Sequence, residues 1–182
     1  EQLNQKVEKV IQRSLCKKLD FATELKSAAQ HHIDSFNYSC NEGLKNVIKY
    51  LQPLELNAAE ISRIGQRKDN SFTAFKKMKI WFSDAKIGLP TKRGDITASE
   101  SRLFPYECRI AMRTYSAPLF VTVCRTIDNG AIDQVKMSLS DIPIMVRSNH
   151  CHLNGASSKE LVEKNEDCNE FGGYFIINGL EK

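Results

Sequence analysis

The spacing of apolar residues changes from a helical period to a strand period near Pro53, and this change constrains the fold most. Before it, Leu3, Val7, Val10 and later apolar residues recur every three or four positions. This spacing predicts an amphipathic helix over residues 1–20. A second, helix-favouring stretch covers Ala22–Ile33.

Asp34 follows that stretch and predicts the start of a third helix, since its carboxylate can accept hydrogen bonds from the N–H groups of the next turn. Pro53 would stop this helix because proline cannot continue the hydrogen-bonding pattern. The apolar residues between them predict a buried stripe: Phe36, Cys40, Leu44, Val47, Ile48 and Leu51.

After Pro53 the pattern alternates. Met78, Ile80 and Phe82 alternate with polar or cationic neighbours, which predicts a half-buried strand. Gly88–Ser101 is typical of a loop. A second alternating stretch, through Leu119, leads into Asp128-Asn129-Gly130, a sequence that favours a tight hairpin turn. The return strand should run to about Val146 through Val135, Met137 and Leu139, and Pro143 indicates an edge or a bulge.

The C-terminal stretch predicts three further elements. Ser157 and Glu160 form a capping box for a short helix, Tyr174–Ile177 should be a strand, and Asn178-Gly179 a second hairpin turn. We expect the strand after that turn to be absent, which would leave an open edge near Tyr174–Ile177 that frays or pairs with another molecule. Together these elements predict an α+β fold in which N-terminal helices pack on a mainly antiparallel sheet.

Composition narrows the function classes. A length of 182 residues suits one domain, and no apolar run approaches the roughly 20 residues needed to cross a bilayer. The first residues have no signal-peptide core. The six cysteines are scattered without a CxxC pair, a pattern typical of free thiols in a reducing compartment.

Enzymatic and metal signatures are weak. His150-Cys151-His152 has metal-ligand residue types, but no second pair at zinc spacing accompanies it, so a loop with one buried thiol is the preferred interpretation. His31 and His32 are adjacent on a helix and diverge by about 100°, so we expect one to be partly buried and the other solvated. The chain contains no nucleophile elbow, phosphate-binding loop or dinucleotide fingerprint.

A basic segment remains as a candidate. Between Arg63 and Arg93 the sequence has nine basic residues and two acids, a net charge of +7. From Ser157 onward it has three lysines and six acids, a net charge of −3. Phosphate contact is one interpretation, and a solvated strand face that discourages edge pairing is the other. The candidate contacts are Arg67, Lys68, Lys77, Lys79, Lys92 and Arg93.

Four segments, in this order, resemble the second-largest subunit of cellular RNA polymerases. They begin with Gln30–Phe36 (QHHIDSF) and continue with Phe104–Arg109 (FPYECR), which is followed by Thr114–Leu119 (TYSAPL). The others are Ile142–Ser148 (IPIMVRS) and Gly172–Lys182 (GGYFIINGLEK). Ser148–Asn154 is similar to the polymerase I version, whereas Thr114–Pro118 is closer to polymerase II, so polymerase I is favoured and polymerases II and III stay as alternatives. A stand-alone basic nucleic-acid-binding module is the further alternative.

The resemblance implies that residues 1–182 are the N-terminal part of the protrusion domain, with residues 1–20 as a helical extension and a completing segment after the lobe. The family is a DNA-directed RNA polymerase, a nucleotidyltransferase of the nucleus and, for polymerase I, the nucleolus. The implied role is a wall of the DNA cleft that meets upstream DNA, the RNA–DNA hybrid, initiation factors and other polymerase subunits. No catalytic residue or cofactor is implied for this segment, because the family's Mg²⁺ and Zn²⁺ sites lie elsewhere in the polymerase.

Individual residues take roles from the same motifs. Arg147 and Lys182 become further candidates for nucleic-acid contact, and the alternative for Arg147 is an ion pair with an acid such as Glu107. Gly172, Gly173 and Gly179 are expected where close approach or positive φ excludes side chains. The other structural motif residues are Asp34, Phe36, Glu107, Arg109 and Asn178.

Overall fold

The computed structural model describes residues 24–57, 76–92 and 102–182. The predicted helix over residues 1–20 lies outside these residues. The described residues form two compact units, one from residues up to Asn37 with Leu89–Ser116 and Pro143–Lys182, and the other from Tyr38–Gly88 with Ala117–Ile142. Within the described part, no helix is long and apolar enough to span a membrane.

The second unit contains a four-stranded sheet in the order β1-β2-β3-β4. The strands are β1 (Leu54–Asn57), β2 (Lys77–Ile87), β3 (Ser116–Ile127) and β4 (Asp133–Pro143). Strands β1 and β2 pair antiparallel, as do β2 and β3, with a register shift between Phe82 and Asp84. Helix α2 (Leu44–Tyr50) contacts β2. Helices together with an antiparallel sheet confirm the predicted α+β class.

The hairpin between β3 and β4 forms at the predicted turn. Asp128 and Asn129 both have positive φ, 48° and 59°, and the N–H of Gly130 donates to the carbonyl of Ile127 at 2.8 Å. Asp128 Oδ1 also accepts hydrogen bonds from the backbone N–H groups of Lys76 and Lys77, at 2.8 and 2.7 Å. The turn therefore also fixes the start of β2. Strand β4 lies at an edge of the sheet, as Pro143 indicated.

The first unit contains helix α1 (residues 24–38, whose last residue passes into the second unit), α3 (Pro105–Ile110), α4 (Ser158–Glu163) and the hairpin strands β5 (Ile176–Ile177) and β6 (Leu180–Glu181). The predicted capping box is confirmed, because the side chain of Ser157 accepts from the N–H of Glu160 and the Glu160 carboxylate accepts from the N–H of Ser157 at 2.7 Å. The core is a set of fully or nearly fully buried side chains: Cys108, Tyr115, Ile144, Val146, Leu153, Leu161 and Ile176.

The helix start predicted at Asp34 is wrong. Residues 24–38 are helical without a break, and the Asp34 carboxylate accepts a hydrogen bond from the Gln30 amide, one turn earlier, at 2.8 Å. An acid of this kind can serve either as a cap or as an i,i+4 partner within a helix. A π-helical turn, Ser39–Gly43, leads into α2, which ends at Tyr50 before Pro53.

The predicted buried stripe is also only partly formed. Val47 and Leu51 are exposed to 57% and 50%, whereas Phe36 packs edge-to-face on Phe175 with ring centroids 5.5 Å apart. His31 and His32 are both exposed, so the prediction that one is partly buried is wrong. Helical spacing identifies a face, but the neighbours that cover the face come from distant sequence.

The strand after Asn178-Gly179 is present, contrary to expectation. Strands β5 and β6 pair antiparallel, with Ile177 opposite Leu180, and Phe175 exchanges two backbone hydrogen bonds with Lys182, each 2.9 Å. On the other side, Tyr115 donates its N–H to the carbonyl of Ile176 at 3.0 Å. The predicted open edge near Tyr174–Ile177 is therefore wrong, because both of its sides have partners within the chain.

Candidate functional site

The glycine pair of the C-terminal motif lies where the backbone crosses two other segments. Gly172 and Gly173 have φ of 71° and 84°. A Cβ at Gly172 would meet the carbonyl oxygen of Val146 at 2.5 Å, and one at Gly173 would meet Ala29 at 2.9 Å. The N–H of Gly173 donates to the carbonyl of Val146 at 3.1 Å. Glycine therefore allows both the left-handed backbone and the close approach.

The Asn178-Gly179 turn rests against the segment after α3. Asn178 and Gly179 have φ of 51° and 79°. The backbone N–H of Asn178 donates to the Thr114 hydroxyl at 3.1 Å, and the N–H of Gly179 donates to the carbonyl of Arg113 at 3.0 Å. A Cβ at Gly179 would lie 2.8 Å from the sulfur of Met112. The turn is therefore held by hydrogen bonds to uncharged groups, the Thr114 hydroxyl and the Arg113 carbonyl.

Arg109 is the centre of a hydrogen-bonded network that joins α3 to the C-terminal motif. Its guanidinium donates to Glu166 at 2.7 Å, to the Tyr174 hydroxyl at 2.7 Å and to Glu181 at 2.8 Å. The Tyr174 hydroxyl in turn donates to Glu170 at 2.9 Å. A planar fork with several donors suits this arrangement, and lysine could not reproduce it.

Burial sets the electrostatics of this network. The side chain of Glu166 is only 2% exposed, and burial raises the pKa of its carboxyl despite the hydrogen bonds from Arg109 and the N–H of Tyr106. Burial, with the nearby Glu170 carboxylate, also raises the pKa of Tyr174. Burial works against the charge of Arg109, but the hydrogen bond to Glu166 and the other partners raise its pKa overall. Arg109 therefore stays charged and links α3 to the C-terminal motif.

Glu107 closes the start of α3. It accepts a hydrogen bond from the N–H of Phe104 at 3.0 Å and forms an ion pair with Lys92 at 2.7 Å. Burial opposes ionisation of Glu107, yet Lys92 and the Phe104 N–H lower its pKa overall. The predicted ion pair between Glu107 and Arg147 is wrong. Glu107 pairs with Lys92, and the Arg147 guanidinium donates to backbone carbonyls.

Arg147 contacts backbone carbonyls. One guanidinium nitrogen donates to the carbonyl of Glu170 at 2.9 Å and the other to that of Ala156 at 3.2 Å. The residue has φ of 64°, a conformation that a side-chain-bearing residue adopts only when its surroundings hold it. Arg147 therefore joins the loop after β4 to the loops on either side of α4.

Two of the basic candidates share one acid on the sheet. Lys77 and Lys79 on β2 form ion pairs with Glu55 on β1, at 2.7 and 3.7 Å, and this contact lowers the pKa of Glu55. Arg67, Lys68 and Arg93 lie outside the described residues. Lys182 ends the β5–β6 hairpin. Among the described basic candidates, the structure brings together only Lys77 and Lys79.

The Cys151 segment contains a buried thiol, as expected. Cys151 is 4% exposed, and the Tyr115 hydroxyl lies 3.5 Å from its sulfur. His152 is fixed by its ring nitrogen, 2.7 Å from the carbonyl of Pro90. Burial raises the pKa values of Tyr115 and Cys151. In the part of the chain described here, no group of three His, Cys, Asp or Glu residues could hold a metal ion.

Glu166 and Tyr174 are the residues that sequence reasoning missed. Glu166 lies 57 positions from Arg109 and Tyr174 lies 65 positions from it, so no local spacing connects them. The sequence offered one signal, because a cluster of acids follows Ser157 and any of them could pair with the motif residue Arg109. This signal reduces the number of candidate partners for Arg109 but does not select Glu166.

These contacts define a structural α+β segment in which the motif residues hold backbone segments together. The family model described as RNA polymerase beta subunit matches residues 27–182, so the chain belongs to the RNA polymerase beta subunit family.

Curated relatives agree with this assignment. The chain is 37% identical over 157 residues to the DNA-directed RNA polymerase I subunit RPA2 of Euplotoides octocarinatus, covering 86% of this chain and 13% of that protein. It is 36% identical to the Dictyostelium discoideum RNA polymerase I subunit rpa2, covering 87% and 14%. Identity to the Homo sapiens RNA polymerase I subunit RPA2 is 32%, covering 87% and 13%. The chain thus spans about one eighth of the length of these relatives.

Proposed function

We propose that this chain is the N-terminal structural region of the second-largest subunit of RNA polymerase I, within a nuclear and nucleolar enzyme that transcribes ribosomal RNA genes. The observation that carries the proposal is the match across residues 27–182, together with relatives whose names specify polymerase I at 32–37% identity. The segment Thr114–Pro118 is closer to the polymerase II version, so the same region of polymerase II or III is the alternative, and a stand-alone basic nucleic-acid-binding module is the other.

The proposed role is architectural. Arg109, Arg147 and the motif glycines all serve contacts between distant segments of this chain, which supports a structural wall rather than a catalytic centre. In the assembled enzyme the wall would border the DNA cleft and meet upstream DNA, the RNA–DNA hybrid, initiation factors and other subunits. Nucleotide transfer and its Mg²⁺ and Zn²⁺ sites would belong to the rest of the polymerase.

Genomic occupancy would test the assignment among polymerases. The full polypeptide that carries this segment would be tagged at its own locus, precipitated, and its associated proteins and DNA identified. Recovery of polymerase I subunits with DNA from ribosomal RNA genes is expected. Recovery of protein-coding genes or of transfer RNA genes would assign the segment to polymerase II or III. A tagged protein without polymerase subunits would favour a stand-alone module.

Contact with DNA would be tested at β2. Lys77 and Lys79 lie on one face of this strand because they are two positions apart, and Glu55 is their shared acid. A photo-crosslinking residue at Lys79, in polymerase bound to upstream duplex, should label DNA if this face borders the cleft. The matched control is the same residue at Lys159, an exposed lysine of α4. Equal labelling at both positions would count against a cleft-facing β2.

A further inference from the structure

A polar cavity of about 470 Å³ lies in the first unit, between α1 and the loops around α4. Its size falls in the range of about 300–1,000 Å³ that is usual for binding pockets. Apart from Arg147, the proposed architectural function does not use the residues that line it. The polar residues that line it are Lys26, Gln30, Asp34, Asn37, Arg147, Asn149 and Asn154.

Two amide side chains in the wall are available for a ligand. Within the described residues, the side chains of Asn149 and Asn154 make no hydrogen bond, although their backbone N–H groups donate to Asn37 and Cys151 at 2.9 and 3.0 Å. Each amide can donate two hydrogen bonds and accept through its oxygen. An extended peptide presents the complementary N–H and C=O groups.

Arg147 adds a fixed cation to the same wall. Its contacts with the carbonyls of Ala156 and Glu170 hold the guanidinium in place. A guanidinium has five N–H donors, so donors remain beyond these two bonds.

The charges of the wall select the class of ligand. Lys26 and Arg147 outnumber Asp34, which favours an anionic group. A phosphodiester chain offers many acceptors and repeated negative charge, and would bring that charge against Asp34. A peptide can place a carboxylate near the two cations and donate a backbone N–H towards Asp34.

We propose that this cavity binds an extended acidic segment of another polypeptide, through backbone contacts with Asn149 and Asn154 and a carboxylate contact with Lys26 and Arg147. The site is a docking position for a polypeptide and is independent of whether the polymerase is type I, II or III.

The test is a titration of the 182-residue chain, monitored by nuclear magnetic resonance of the side-chain amides. The probe is an acetylated and amidated pentapeptide of alternating alanine and aspartate, added up to about 10 mM because such a short ligand should bind weakly. The Asn149 and Asn154 amide signals should shift in a saturable manner. The Lys26→Ala/Asn154→Ala variant should bind at least about tenfold more weakly.

Three controls make the result decisive. Lys159→Ala removes an exposed lysine outside the cavity and should leave the affinity unchanged. The alternating alanine–lysine pentapeptide should not bind, and pentathymidylate should bind more weakly than the acidic peptide. Absence of saturation, equal affinity in the Lys26→Ala/Asn154→Ala variant, or tighter binding of pentathymidylate would each overturn the proposal.

Discussion

Alanine at Gly172 tests whether the motif glycine is required by close packing or only by its backbone conformation. Gly155 offers a matched control, because its φ of 70° is nearly that of Gly172 at 71°, yet a Cβ at Gly155 would have no atom within 4 Å. At Gly172 the added carbon would meet the carbonyl oxygen of Val146 at 2.5 Å and the Cβ of Arg147 at 2.7 Å.

The expected magnitudes follow from this difference. Placing alanine in a left-handed conformation costs about 1–2 kcal/mol, and this cost applies to both variants. Overpacking adds about 1–3 kcal/mol, and it should approach the upper end at Gly172 because one obstructing atom belongs to the backbone. We therefore expect Gly155→Ala to lose about 1–2 kcal/mol of unfolding free energy and Gly172→Ala to lose about 3–5 kcal/mol.

Urea denaturation followed by circular dichroism would measure both unfolding free energies, and equal m-values would show that the unfolded states are comparable. A Gly172→Ala protein that does not fold agrees with the reasoning if Gly155→Ala folds. Equal losses in the two variants would refute it, because the conformational requirement alone would then explain the glycine.

Three further outcomes are expected. Arg109→Met should lower the unfolding free energy by about 3–5 kcal/mol because it leaves the buried Glu166 carboxylate without its cation. The Arg109→Met/Glu166→Gln variant should recover part of that loss in the same denaturation assay. A loss below about 1 kcal/mol in Arg109→Met alone would contradict the stabilising role of the network. Burial raises the pKa of Cys108 to about 11. At about pH 8 a thiol reagent should therefore modify the exposed Cys168 at least about 100-fold faster than Cys108. Comparable rates at the two thiols would contradict the burial of Cys108. The Glu107 pKa lies below its usual value of 4.5, so its stabilising contribution is present above pH 4.5 and is lost as the pH falls through the folded-state pKa. The stability difference from Glu107→Gln should therefore shrink on acidification, and a difference that stays constant across the whole acid titration would contradict this.

Sequence reasoning succeeded where the determining contacts are local. The Asp128-Asn129 turn needs two residues that tolerate positive φ, and the Ser157–Glu160 capping box needs two residues three positions apart. Both requirements are complete within a few positions. The α+β class follows from the change of period near Pro53, which is also a short-range signal.

The errors have a common physical cause, since each concerned a partner that local sequence did not specify. Asp34 could cap a helix or accept from Gln30 inside one, and the structure has the second arrangement. Strand β6 has only two residues, too few to show an alternation. The cationic face of β2 is not among these errors: the fold places Glu55 beside Lys77 and Lys79, and their contact with phosphates stays a prediction.

The same contacts rank the basic residues as candidates for DNA contact. An exposed ion pair such as Lys77–Glu55 contributes little to stability because water and salt screen it, so a phosphate could replace Glu55 with little loss. Arg147 differs, because each hydrogen bond from a charged donor contributes about 1.5–3 kcal/mol, and moving its side chain would break two of them. The side chains of Lys77 and Lys79 can therefore move to contact nucleic acid while the fold stays intact. The side chain of Arg147 can contact nucleic acid only if it keeps its present position. An Arg147→Ala variant would lose stability whether or not DNA is present, so the β2 lysines are the informative positions for measuring DNA contact.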